Sequence, residues 1–157
     1  MNKTFTSLFT AALVGIFSLL TPSIAQAVDV QSAPIALVGA QGYDLVSYHS
    51  GSPVRGSGYH AVPYKGITYI FQNEENAAMF KSKPEMYLPA FGGFCAMGVA
   101  KGKKIEVDPM VWKIVDGRLY LNVNSKVQGI WIENQSKNIM KANSNWENIM
   151  NMSPMDL

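Results

Sequence analysis

The sequence predicts an α+β fold, a small antiparallel sheet from two hairpins packed against several short helices. Three observations carry this. Lys65-Gly66 and Asp116-Gly117 each stand between runs of alternating apolar residues, as hairpin turns do. Each hairpin is followed by a capping residue and a stretch with helical spacing. The chain has a single cysteine, so no internal disulfide staples it and apolar burial must hold the core.

Residues 1–27 read as a cleaved signal peptide. Lys3 supplies the positive start, Leu8 to Leu20 the apolar stretch, and Ala25-Gln26-Ala27 the small-x-small cleavage pattern. The apolar stretch is shorter than the roughly 20 residues of a membrane span. The expected product is exported, to the periplasm or outside the cell where there is no outer membrane, with no stable membrane insertion after cleavage. Residues 28–41 read as a lead-in segment without strong periodicity, 42–150 as one domain, and 151–157 as a loose tail. No internal repeat is evident.

Gly42 to Gly58 reads as a loop with short extended pieces, because glycine, serine and proline punctuate it. Asp44 suits a turn or cap there. The first hairpin follows, with Ile67, Tyr69 and Phe71 on one face and Thr68 and Ile70 on the other. Asn73 is a fitting N-cap, followed by Glu74 and Glu75, an apolar stripe of Ala77, Met79 and Phe80, and Pro84 as a stop. Glu85 to Leu88 suits one more helical turn. Gly92 and Gly93 allow a sharp redirection, and a short helix is expected to begin near Phe94.

The second hairpin alternates Trp112 and Ile114 with Val111, Lys113 and Val115, and then Leu119 and Leu121 with Tyr120 and Asn122. Asn124 or Ser125 can cap the next helix, on which Val127, Ile130 and Trp131 have amphipathic spacing. A last helix is expected to place Ile139, Met140, Trp146 and Ile149 on one side.

Thirteen basic and eleven acidic side chains give a net charge of +2 with no concentrated basic surface, so a nucleic-acid partner is not expected. There is no phosphate-binding glycine loop, dinucleotide fingerprint, CxxC pair or HExxH helix. A binding module fits this better than an enzyme.

The chemistry gathers at Phe91–Gly98, FGGFCAMG. Cys95 offers a nucleophilic or soft-metal sulfur and Met97 a thioether, a pairing that suits Cu(I). His49 and His60, the only histidines, could add an imidazole. Cys95 also suits the role of a small buried hydrophobe. Three readings follow. One is a copper-binding module using Cys95, Met97 and His49. Another is a small-ligand or protein-partner module lined by aromatics, with a packed Cys95. The third is a thiol enzyme or redox protein.

Taken together, GYDLVSYHSGSPVRGS, YKGITYIFQNEENAAMFKSKPEMYLPAFGGFCAMGVAKG and DPMVWKIVDGRLYLN resemble the exported single-domain YHS proteins of bacteria over residues 42–149. The resemblance implies a compact α+β module of a family associated with heavy-metal handling. In that family's metal-linked branch, a cysteine and a methionine stand in the opening loop, and two cysteines follow the hairpin. Here Ser47, His49, Gln72 and Asn76 stand in those places. The implied site would be rebuilt around Cys95, with Met97 and His49.

Overall fold

The computed structural model describes residues 37–157, so the signal peptide and residues 28–36 of the lead-in lie outside the described residues. Among the described residues, five strands and six α-helices form an α+β fold. Among the described residues no helix is long and apolar enough to cross a membrane.

The two hairpins form as expected. Strands β2 (Ser57–Tyr64) and β3 (Ile67–Phe71) meet at Lys65 and Gly66, with φ of 48° and 78°. Strands β4 (Asp108–Val115) and β5 (Arg118–Asn122) meet at Asp116 and Gly117, with φ of 49° and 75°. Two consecutive left-handed residues give the turn whose twist matches its strands. The hairpins lie in two separate sheets. In the first, β1 (Leu37–Val38) runs parallel to β3, pairing Leu37 with Ile67, and the order is β1-β3-β2. The second sheet is β4-β5 alone. They are joined by side chains, since Leu119 and Leu121 of β5 enter the core built on Phe71 and Phe80.

Gly42 to Gly58 departs from its expected loop. Leu45–His49 form a helix, α1, whose Leu45, Val46 and Tyr48 are buried. The helix is one and a half turns long, too short for a periodic pattern to register. Helix α2 (Glu74–Ser82) is capped by Asn73, whose Oδ1 accepts the Asn76 N–H at 2.8 Å. It buries Ala77 and Phe80, while Met79 faces outward. Helix α3 (Pro84–Tyr87) starts on its proline. Helix α4 (Ala96–Ala100) begins one residue after Cys95.

Helix α5 (Ser125–Glu133) is capped by Asn124 and buries Trp131, with Ile130 exposed. On α6 (Gln135–Ile149) the inward stripe is Ile139, Ala142, Trp146 and Ile149, spaced by three, four and three. Met140 lies one residue, about 100°, off that stripe and is exposed. The C-terminal residues carry a 3-10 turn, Pro154–Asp156, started by Ser153. Lys104 Nζ donates to the carbonyls of Met150 and Met152 just before it.

The fold repeats itself, which the sequence does not announce. A constant step of 51 residues carries Ser57 at the start of β2 to Asp108 at the start of β4, Ile67 to Arg118, and Glu74 to Ser125. The caps Asn73 and Asn124 obey it, and so do the register shifts Ser57/Ala61 and Asp108/Trp112. Upstream, left-handed Ala40-Gln41-Gly42 leads through extended Tyr43 to the cap Asp44 and then α1. Left-handed Phe91-Gly92-Gly93 leads through extended Phe94 to the cap Cys95 and then α4. The chain is therefore two successive versions of one unit: 3-10 turn, short helix, hairpin, helix, helix. Strand β5 divides the interior. Leu119 and Leu121 face the first core, and Tyr120 faces a second core with Phe91, Val99, Trp131 and Ala142.

Candidate functional site

Cys95 occupies a structural position. Gly92 and Gly93 turn the chain so that the Cys95 N–H donates to Ile105 O at 2.9 Å. Its Sγ accepts the Gly98 N–H at 3.4 Å, capping α4, and faces Asn122 Oδ1 at 3.6 Å. The residue is 1% exposed. Its sulfur is engaged and shielded, whereas a nucleophile or open metal ligand needs access. The Met97 N–H also donates to Asn122 Oδ1, at 3.4 Å, which fixes the orientation of that amide. The Met97 side chain packs half-buried against the second core. Asn122 Nδ2 is buried with no partner among the described residues.

His49 stands elsewhere, at the end of α1, its ring edge-on to Tyr87 with centroids 5.2 Å apart. Burial pushes its pKa below the ordinary histidine value. Its Nε2 is buried and unpartnered among the described residues. It lines a pocket of about 340 Å³ together with Val46, Ser50, Asn76, Met79, Met86 and Tyr87. Neither this pocket nor the larger cleft described below is lined by Cys95 or Met97. Of the three residues expected to share a copper ion, Cys95 and Met97 both meet Asn122 Oδ1, while His49 lines a pocket that neither of them lines. His60 lies on β2, away from both cavities.

Three of the four positions where the resemblance places soft ligands, Ser47, Gln72 and Asn76, bond to Asp44 instead. Asp44 Oδ1 accepts the N–H groups of Val46 and Ser47, at 2.8 and 3.2 Å. Oδ2 accepts Gln72 N–H at 2.9 Å and Asn76 Nδ2–H at 2.7 Å. Ser47 Oγ donates to Asp44 O at 2.6 Å and accepts Val54 N–H at 3.0 Å. Four N–H donors satisfy this fully buried carboxylate, and the cluster does not fit a metal. Its job is to tie α1, β3 and α2 together.

A cleft of about 680 Å³ opens between the two repeats. The first repeat contributes Leu37 to Gln41, Ile67 and Tyr69; the second contributes Phe91 to Phe94, Arg118 and Leu121, with Trp146 of α6. The left-handed segments of both repeats face it. Lys65 and Asp116 are left-handed for their hairpin turns, but Ala40, Gln41 and Phe91 have no hairpin to serve and still adopt φ of 51°, 51° and 57°. Each such residue costs on the order of 1 kcal/mol. At Gly39 a Cβ would run into the Tyr69 ring, so only glycine lets this segment lie against β3.

The walls are aromatic and aliphatic, with a few charges. The Arg118 guanidinium lies 5.8 Å from the Phe91 ring centroid and has no ion-pair partner among the described residues. Glu85, at the rim, is held by Tyr64 Oη at 2.7 Å and by Lys65. The Lys65 and Tyr64 hydrogen bonds hold its pKa below the ordinary glutamate value. Gln41 Nε2 donates to Val107 O at 3.0 Å, joining one rim to the other.

Sequence reasoning missed Ala40, Gln41 and Arg118, whereas Trp146 is among the aromatics expected to line a ligand pocket. The available signal was the pair of glycine-punctuated segments, Gly39–Gly42 and Gly92–Gly93, each just before a cap. In comparisons with known proteins, no family model matches the chain, and no curated protein or solved structure does either.

Proposed function

We propose that this chain is an exported YHS-type binding module that takes a small ligand in the cleft between its two repeats, with Cys95 serving as a helix cap. One observation carries the reading: both repeats turn a strained, left-handed segment toward the same cavity. Backbone strain outside turns gathers where binding geometry needs it. The cleft's size is that of small-molecule sites, and its lining exposes polar and apolar surface in about equal measure.

The lining indicates the ligand class. Tyr69, Phe91, Phe94 and Trp146 offer flat apolar contact, and Arg118 offers a cation with no ion-pair partner among the described residues, in a lining that also holds Glu85 and Glu106. A small aromatic molecule with one anionic end satisfies both. Export would follow from the signal peptide, and the fold class is that of the family resembled.

The test uses 8-anilinonaphthalene-1-sulfonate, an aromatic anion whose fluorescence rises in apolar sites. Val38→Trp fills the cleft from an exposed strand residue, and Arg118→Met removes the cation. Each is expected to weaken binding by about tenfold or more, with the melting temperature little changed. Equal affinity in wild type and both variants, or no binding to the wild type, would remove the reading.

A further inference from the structure

Lys104 does not line the cleft, yet it touches two of the rings that do. Its Nζ lies 5.5 Å from the Phe94 ring centroid and 5.3 Å from that of Trp146. The same Nζ donates to Met150 O at 2.8 Å and to Met152 O at 2.6 Å. Its backbone is held on both sides. Lys103 N–H donates to Gly98 O at 3.0 Å, and Ile105 O accepts the Cys95 N–H at 2.9 Å. The loop lies so close on α4 that a Cβ at Gly98 would stand 3.2 Å from the Ile105 side chain.

A cation at the end of a helix explains the two carbonyl contacts, since Met150 and Met152 follow the last turn of α6. It does not explain Phe94, which belongs to another segment, the extended residue before the Cys95 cap. Phe94 and Trp146 are half-buried with one side toward the cleft, so core packing alone does not hold them. Their centroids are 6.4 Å apart, and Trp146 is 6.0 Å from Phe91, so the three rings form one wall. An ammonium behind two of these rings is attracted to their faces and restrains both.

The repeat supplies an internal comparison. Phe94 lies 51 residues beyond Tyr43, and Tyr43 also carries a cation, with the Arg55 guanidinium 4.8 Å from its centroid. Arg55 Nη1 donates to Gln41 O at 3.2 Å, so this cation steadies the left-handed segment on the other side of the cleft. The two cations are not equivalent in sequence. The step of 51 carries Arg55 to Glu106, and Lys104 back to Pro53. The backbone plan therefore does not dictate them, yet each repeat covers the same ring with one.

We propose that Lys104 is a positioning residue of the cleft: its ammonium fixes the Phe94 and Trp146 rings against the residues that follow α6, and ligand affinity depends on that charge. The inference rests on the ligand reading above and adds to it a residue that acts from behind the wall.

The experiment measures binding of 8-anilinonaphthalene-1-sulfonate by the full chain, beside urea midpoints and fluorine NMR of protein labelled with fluorotryptophan. Lys104→Met keeps the apolar stem and removes the charge, whereas Lys104→Arg keeps a charge and donors. Lys104→Met is expected to weaken binding about fivefold. It should also move the Trp146 signal, assigned with Trp146→Phe, and leave those of Trp112 and Trp131 in place. Lys104→Arg should return both readings close to wild type. A lysine that only ends α6 would lower the urea midpoint of Lys104→Met and leave affinity and the Trp146 signal unchanged, which overturns the proposal. Equal losses in Lys104→Met and Lys104→Arg overturn it as well. No binding by the wild type removes the ligand reading and this inference together, whereas equal binding by wild type and Lys104→Met removes this inference alone.

Discussion

Asp44 and Cys95 hold the same place in the two repeats, and they hold it by different means. Both follow a left-handed turn and an extended aromatic, and both cap a five-residue helix. Asp44 uses a carboxylate with four N–H donors and ties together three elements. Cys95 uses a sulfur with one N–H donor at 3.4 Å and leans on Asn122. Cys95 therefore reads best as the apolar version of a capping position, a setting that explains its burial without invoking reactivity. Function is to be sought at the open surface between the repeats, the cleft.

The largest expected effect breaks this comparison at its strong end. Asp44→Ala strips four N–H groups, two of them fully buried, of their acceptor and should cost about 4 kcal/mol, measured by urea unfolding. Cys95→Ala removes one weak cap and should cost only about 1 kcal/mol. Similar losses at the two positions would mean that the sulfur does more than cap.

The next prediction concerns positions where the repeats agree. Asn73 and Asn124 cap α2 and α5 with almost the same geometry, at 2.8 and 2.9 Å. Asn73→Ala and Asn124→Ala should each cost about 1 kcal/mol in the same assay. A difference of several-fold would show that the equivalence of the repeats stops at the backbone.

A smaller effect sharpens the contrast between His49 and its counterpart Ala100. The folded pKa of His49 lies below the unfolded value of 6.5. Above 6.5 both states are neutral there and the residue adds no pH dependence. As pH falls through 6.5 the unfolded chain takes up the proton first, so stability declines until the lowered folded pKa is reached and then levels off. Urea midpoints between about pH 7.5 and about pH 5 should show this decline, and His49→Gln should flatten that part of the curve.

Much of the fold is legible in the sequence, and the reasons are local. Gly66 and Gly117 mark the hairpins because two-residue turns require left-handed backbone. Asn73 and Asn124 mark helix starts because their side chains replace a missing acceptor. The duplication is nearly erased, since side chains in a core vary freely if volume is kept. At the 51-residue step, identity persists at Gly42 and Gly93, Gly51 and Gly102, Gly66 and Gly117, Tyr69 and Tyr120, and the two asparagines. Three of these pairs are glycines with positive φ, where the backbone leaves little choice.

The site was harder to read. Cys95 is buried with its sulfur between Asn122 and Gly98, and Asn122 comes from a distant strand. His49, Met79 and Met86 lie on three helices that only tertiary packing brings to one pocket. The cleft has no motif at all, since it arises from the way two similar halves meet.

The reading of Cys95 as a capped and shielded residue is tested most directly by the rate at which a thiol reagent labels it. With the fold intact, labelling by 5,5′-dithiobis(2-nitrobenzoate) is expected to be slow and to rise with urea in step with the unfolding of the chain. Complete labelling within seconds in buffer alone, with circular dichroism still native, would contradict the account and return the sulfur to the list of working groups.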